Sequence, residues 1–261
     1  MVEVRALFAA CLSGRWRAVW RRNAQVWVKL AAPSLVGNFG EPLLYLLALG
    51  YGLGSFIGDV NGVPYVVFLA SGIVCASAMN TATFECLYSA YTRMTVQGTW
   101  EAMLVTPLGI EDVVIGEAMW AGTKSLISAA AILLVATLLG LVAGWSALWV
   151  LPVALVMGVC FGAMALVVTA MSPSYDFFLY YFTLFITPMF LLSGTFFPID
   201  AMLPWVQWAA QALPLTHAVA VVRPMMTGAG SWPLWQLAVP IAYGLGSLWL
   251  AVWLLRRRLM G

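Results

Sequence analysis

Six long, mostly apolar runs constrain this chain more than any other feature in it: roughly Pro33 to Ile57, Val63 to Leu87, Val113 to Gly140, Ala147 to Thr169, Phe177 to Phe197 and Leu234 to Leu255. Each reaches the length of about 20 residues that a helix needs to cross a hydrocarbon layer. With 63% of residues hydrophobic and only 8% charged, 261 residues cannot hide this surface inside one soluble fold. The runs lack the alternating segments of about ten residues that barrel strands show. The chain therefore reads as an all-α integral membrane protein with six transmembrane helices in a single transmembrane domain.

The cations orient it. Arg5, Arg15, Arg17, Arg21, Arg22 and Lys29 precede the first run and Arg256, Arg257 and Arg258 follow the last, so nine of the 12 Lys and Arg lie at the two ends. The positive-inside rule places both termini in the cytoplasm, with Arg93, in the connection after the second run. The net charge of +2 thus reports topology, and no nucleic-acid partner is expected. No cleavable signal peptide is read, because the first 30 residues carry charge throughout and lack an apolar core.

Residues 1–32 carry an amphipathic pattern. At about 100° per residue, Leu12, Trp16, Val19, Trp20, Trp27 and Leu30 share one face and the cations lie away from it. That pattern predicts an interfacial helix with tryptophans at headgroup depth. Cys11, Cys75, Cys86 and Cys160 show no metal spacing, and no metal or cofactor site is read. Cys75 and Cys86 would stand about 16 Å apart on a continuous helix, beyond disulfide reach.

Residues 198–224 break the pattern. Pro198, Asp200, Pro204, Pro214 and His217 interrupt a stretch nearly as apolar as the spans. Broken backbone survives at membrane depth only when packed in protein or beside a water-filled cavity. The expectation is two short re-entrant helices forming a lid, with Met202, Trp205 and Leu213 shielded from water and Trp208 beside them at headgroup depth.

No engine is visible in the chain. Gly116 with Gly122, Thr123, Lys124 and Ser125 lacks the Gly-Lys adjacency of a phosphate-binding loop and lies inside the third run. The longest connection, Tyr88 to Asp112, is too short for an ATPase domain. Within it, Thr95 to Pro107 predicts a short helix with Trp100, Met103 and Leu104 on one side and Glu101 exposed, better suited to a partner's groove than to isolation.

Charges inside the runs are few. Glu41 and Lys124 fall about eight and 11 residues into the first and third runs, where an uncompensated charge costs about 3 kcal/mol or more. A Glu41 to Lys124 pair is expected, either as a packing clip or as part of a conformational cycle. Phe178, Phe182 and Phe185, with Phe177 and Tyr181 beside them, predict a continuous ring surface on the fifth helix. That surface suits a core or lipid face, or a dimer interface and the path of an acyl chain. His217, the single histidine, suits a helix-end or headgroup contact.

The loop Ala102-Met103-Leu104-Val105-Thr106-Pro107-Leu108, the motif Leu192-Ser193-Gly194-Thr195-Phe196-Phe197-Pro198, and Leu213-Pro214-Leu215-Thr216-His217 with Arg223-Pro224 resemble the type-2 ABC exporter permeases. Within that family the chain looks most like the branch that exports lipo-chitooligosaccharide nodulation signals. The resemblance implies a multi-pass subunit of the bacterial inner membrane that is not itself an enzyme. Two copies would work with two ABC ATP-binding subunits, which would carry the ATP and Mg. It makes Gly98 to Pro107, with Trp100, Glu101, Met103, Leu104 and Pro107, the coupling helix. Pro198, Met202, Pro204, Trp205, Leu213, Pro214 and His217 become the gate. It implies an amphipathic lipo-oligosaccharide or glycolipid substrate among membrane lipids, with drug or lipid-linked polysaccharide efflux as alternatives. An ion-driven secondary transporter would need coupling carboxylates near the midplane, where Glu41 stands nearly alone. A membrane-embedded enzyme would need clustered polar groups, and none is read in the spans.

Overall fold

The computed structural model describes residues 2–29 and 43–260. It is predominantly helical. Two N-terminal helices, α1 (Val2–Ser13) and α2 (Trp16–Val28), are followed by α3 (Leu43–Ile57) and α4 (Tyr65–Val96). A short helix α5 (Thr99–Leu104) leads into α6 (Ile110–Leu138) and α7 (Trp145–Met171). The chain ends with α8 (Phe177–Leu192), α9 (Pro204–Gln211), α10 (Pro214–Thr227) and α11 (Leu234–Met260). Four of these, α4, α6, α7 and α11, are long and apolar enough to cross a membrane, while α3 and α8 are shorter apolar helices. The first expected span begins outside the described residues, and the fifth stops at Leu192, before the bends of residues 193–197.

Small residues set the spacing of the long helices. A Cβ added to Gly158 of α7 would lie 2.5 Å from the Ser125 side chain of α6, and one added to Gly244 of α11 would lie 2.7 Å from Cys160 Sγ. Lipid supplies no hydrophobic drive between spans, so such close backbone approach gains dispersion contacts that larger side chains would block. The Gly122 region of the failed nucleotide motif belongs to the same α6–α7 seam, where an added Cβ would meet Val159.

One exception to the all-α expectation is a hairpin of Asp59–Val60 with Val63–Pro64. Its turn residues, Asn61 and Gly62, have φ of 53° and 79°. Asn-Gly adopts this left-handed geometry with little strain, and the strands it joins twist to match.

The N-terminal segment is two helices, because Gly14 turns the chain at φ 67°. Helix α2 packs on protein. Val19 is buried against α6, so closely that a Cβ at Gly116 would clash with it, and the Trp20 indole donates to Thr123 Oγ1 at 2.9 Å. Trp27 meets Trp120 edge-on at 6.0 Å. Trp20 and Trp27 thus both contact α6. The terminal cations also bind α6 and α7. Arg15 pairs with Asp112 at 3.5 Å, Arg256 pairs with Glu111, and Arg258 donates to the carbonyls of Thr169, Ala170 and Ser172 at the end of α7. A cation there offsets both the unbonded carbonyls and the negative end of the helix dipole.

Prolines expected to stop helices instead start two of them. Pro204 and Pro214 open α9 and α10, where the missing N–H costs nothing and the fixed φ suits the first turn.

Candidate functional site

Helix α4 runs nine residues past the expected end of the second span. Its lower turns, Glu85–Ser89 and Thr92–Val96, are widened to i→i+5 bonding. Residues eight apart on a regular helix are about 80° out of line. A wider turn advances less per residue, so Glu85 and Arg93 come nearer to one face. Glu117 and Lys124 on α6 are seven apart, about two turns, and share a face as well.

These four residues meet. Arg93 donates from Nη2 to Glu85 Oε1 at 2.8 Å and to Glu117 Oε2 at 2.5 Å, and from Nε to Glu117 Oε1 at 3.0 Å. Lys124 Nζ reaches Glu85 Oε2 at 2.8 Å. Glu85 also accepts from the Trp120 indole at 3.0 Å, and Glu117 accepts from the Trp100 indole at 3.1 Å and from Asn23 Nδ2 at 3.0 Å. Two carboxylates face two cations, and both carboxylates are covered by donors. Buried ions survive only under those conditions, since desolvation must be offset by pairing and hydrogen bonds together. The network joins α2, α4, α5 and α6 at one point.

Arg22 of α2 lies at its edge. It donates from Nη1 to Asn23 Oδ1 at 3.1 Å, and its Nη2 stands 3.5 Å from Thr99 Oγ1. Burial, followed by the charge of Arg93, lowers its pKa from the ordinary guanidinium value. Beside the network is a cavity of about 360 Å³ lined by Arg22, Trp27, Thr92, Gln97, Trp120 and Lys124, among others.

Trp100 is fully buried, at 0% exposure. It is therefore not a surface contact of the short helix but its anchor on Glu117, which corrects the expectation for that residue. Glu101 and Pro107 are exposed and Met103 and Leu104 half-buried. Arg93 lies buried within α4, not in a loop. Lys124 is bound to Glu85, while Glu41, its expected partner, lies outside the described residues. The three rings of α8 do not form one surface. Phe178 is buried against Tyr88 and Tyr91, each at 5.2 Å, Phe182 packs on Phe84 at 4.5 Å, and Phe185 is 61% exposed. The widened turn Phe182–Ile186 breaks the 3.6-residue period on which that expectation rested.

At the opposite end of α4, the Leu192–Pro198 motif is a packed connector. Gly194 has φ 78°, and Thr195 lies so close to α4 that a Cβ on Gly72 would come within 2.7 Å of its Cα. Arg223 of α10 stands over the Phe68 ring at 3.7 Å from its centroid, and donates to Ser71 Oγ at 3.1 Å and to the Gly194 carbonyl at 2.7 Å. Among the gate residues, Pro214 and His217 are buried, Pro198, Met202 and Leu213 half-buried, and Pro204 and Trp205 exposed. His217 Nε2 meets the carbonyl of Gln211, the last residue of α9, at 2.8 Å. Trp205 and Trp208 are 68% and 81% exposed on this chain. A second cavity of about 370 Å³, mostly apolar, opens between α7, α8, α10 and α11, with Met164, Tyr181, Phe185, Leu213 and Tyr243 in its wall.

Sequence reasoning missed Glu85 and Glu117, so the statement that no polar groups cluster in the spans is corrected. Both lie inside the expected runs, and the seven-residue spacing of Glu117 and Lys124 was a readable signal. Among the described residues no group of three or more His, Cys, Asp or Glu could hold a metal ion.

A family model described as ABC-2 type transporter matches residues 6–227. The chain is 47% identical over 253 residues to Nodulation protein J of Rhizobium leguminosarum bv. trifolii, covering 94% of each chain. It is 44% identical over 249 residues to Nodulation protein J of Rhizobium meliloti strain 1021, with the same coverage. The Inner membrane transport permease YadH of Escherichia coli K12 is 24% identical over 254 residues, covering 97% of this chain and 96% of that one. The chain thus belongs to the ABC-2 type transporter family, as a membrane-spanning permease whose polar junction lies beside a short helix.

Proposed function

We propose that this chain is the permease subunit of an ATP-driven exporter that moves an amphipathic lipo-oligosaccharide or related glycolipid out of the cytoplasm or inner leaflet. The substrate class rests on its likeness to Nodulation protein J over nearly the whole length. In this reading the protein lies in the bacterial inner membrane with six spans and both termini cytoplasmic. Two copies act with two ATP-binding subunits, which carry the ATP and Mg.

One observation carries the mechanism: α5 presents Glu101 outward while its Trp100 is hydrogen-bonded to the buried Glu117. A push on the exposed side of this six-residue helix reaches α2, α4 and α6 through one carboxylate. Closure of the ATPase pair would displace α5, shift the junction, and tilt α4 against the Arg223 connector at its far end. The helices α9 and α10 act as the outer gate, and the polar head crosses between subunits while the lipid tail stays on apolar helices. The exposed Leu44, Leu47 and Tyr51 of α3 and Leu184 and Phe185 of α8 suit a second copy or lipid. Efflux of a drug or of a lipid-linked polysaccharide uses the same machinery.

Glu85 and Glu117 favour a second reading as an ion-driven transporter, since carboxylates in spans are its usual coupling groups. Against it, each is saturated by fixed donors and balanced by Arg93 and Lys124. Purification separates the two. The chain alone should show no ATP hydrolysis, and Glu101→Ala should lower stimulation of the co-expressed ATPase while membrane insertion is kept. Substrate movement driven by an ion gradient without any ATPase would overturn the exporter reading.

A further inference from the structure

The cations of the N-terminal segment are not treated alike. Arg15 pairs with Asp112, and Arg22 lies close enough to Glu117 to feel its charge. Arg17 and Arg21 differ from both. They are exposed on α2, and among the described residues neither has a carboxylate within ion-pair distance. Four residues apart on a helix, they stand on the same side one turn from each other, where like charges repel. An oxyanion held by both relieves that repulsion. Beside them is a cavity of about 310 Å³ lined by Trp16, Arg17, Trp20, Arg21 and Thr123, with no carboxylate in its wall. The Trp20 indole is fixed there by its bond to Thr123 Oγ1, and the Arg17 guanidinium stands 5.7 Å from the centre of the Trp16 ring. Thr123 also begins a stripe along α6. With Ile127, Ala130, Leu134 and Leu138 it shares one face of that helix, each residue half-buried or exposed, and Leu134 and Leu138 are 61% and 78% exposed. Cations, indoles and an apolar stripe thus follow one another in the order of a phospholipid's phosphate, glycerol and acyl chain.

We infer that this cavity binds an anionic phospholipid of the surrounding bilayer, with its phosphate on Arg17 and Arg21, its glycerol against Trp16 and Trp20, and one acyl chain along the stripe from Thr123 to Leu138. The lipid is a resident of the membrane and not the exported molecule. That it belongs to the inner leaflet rests on the cytoplasmic termini of the exporter reading; the site itself does not. A soluble anion would use the two cations and leave the stripe bare, whereas a lipid uses both. Occupancy also bears on the buried network. Asn23, two residues after Arg21, donates to Glu117, which holds the Trp100 indole of α5. A lipid bridging α2 and α6 therefore braces the helix pair against which the coupling segment is anchored.

The test uses the full-length permease in nanodiscs that hold equal amounts of phosphatidylglycerol and phosphatidylethanolamine, with the lipid retained on release measured by native mass spectrometry. Phosphatidylglycerol should be retained in preference to phosphatidylethanolamine. Arg17→Gln together with Arg21→Gln should lower its retention by roughly tenfold or more, the loss expected when two cations leave an anionic head group. Lysine at both positions should restore most of it. Arg257→Gln is the control. Arg257 also stands over an indole, 3.9 Å from the centre of the Trp253 ring, but its neighbours Arg256 and Arg258 are engaged by Glu111 and by the carbonyls that end α7. Its loss removes the same charge and should leave retention unchanged. Equal loss in Arg257→Gln would reduce the effect to general charge attraction and overturn the proposal. So would equal retention of the two lipids, or displacement of phosphatidylglycerol by inorganic phosphate or glycerol 3-phosphate, which would make the occupant a soluble anion. Stimulation of the co-expressed ATPase is read separately. A permease that stimulates its ATPase while failing the lipid measurements loses this site and keeps the exporter reading, and one that retains the lipid without stimulating any ATPase does the reverse.

Discussion

Arg93 and Arg223 are held at opposite ends of α4 by opposite means. Arg93 is fixed by two carboxylates through charge-assisted bonds of 2.5 to 3.0 Å. The partners of Arg223 are a hydroxyl, a backbone carbonyl and the face of Phe68. Ion pairs buried together are costly to separate, because each partner is left as a lone charge in a poor solvent. A guanidinium on neutral acceptors and a ring can exchange one carbonyl for another at much smaller cost. One end of α4 is therefore fixed by paired charges, and the other by neutral contacts that hold a connector.

The largest expected effect follows from the first junction. Arg93→Ala leaves Glu85 and Glu117 facing each other with Lys124 as the remaining cation, and should destabilise the permease by about 3–5 kcal/mol. Arg223→Ala should cost about 1–3 kcal/mol, the scale of lost hydrogen bonds to neutral partners. Thermal unfolding of the detergent-solubilised permease compares the two, and equal losses would erase the distinction between the junctions.

A middle-sized effect concerns the end held by neutral contacts. Gly72→Val places side-chain atoms where the Thr195 backbone already sits, so residues 193–197 must leave α4 at a cost of about 1–3 kcal/mol. Faster limited proteolysis within that connector, with the Arg93 end still protected, is the expected pattern. Uniform protection would show that the connector is not held by that contact.

The smallest effect on stability belongs to the exposed side of α5. Glu101→Gln touches neither junction and should change stability by no more than about 0.5 kcal/mol. It should nevertheless reduce stimulation of the partner ATPase. A matched loss of stability and stimulation would mean that Glu101 supports the fold and not the coupling.

Much of this arrangement was legible in the residues themselves. The apolar runs placed α4, α6, α7 and α11, and the Gly98 and Pro107 punctuation bracketed α5. The Pro204 and Pro214 breaks marked the boundaries of α9 and α10, although as starts. The family likeness, carried by the Leu192–Pro198 motif and the residues after Leu213, agrees with the match across residues 6–227. Trp100 was placed on the correct helix and given the wrong neighbour. Amphipathic spacing shows which residues share a face, and it does not show whether that face meets a partner or the chain's own α6.

Sequence alone determined that the chain is helical and apolar enough for a membrane, because hydropathy and helix breakers act over a few neighbouring residues. Tertiary structure decided the rest of the site. The Asn23 and Glu117 side chains are 94 positions apart, Lys124 and Glu85 are 39 apart, and Arg223 and Ser71 are 152 apart. A window that averages hydropathy dilutes a single glutamate among twenty apolar neighbours. Only the packing of α2, α4, α5 and α6 against one another determines which cation Glu85 and Glu117 meet, since a buried charge is specified by its partners in space.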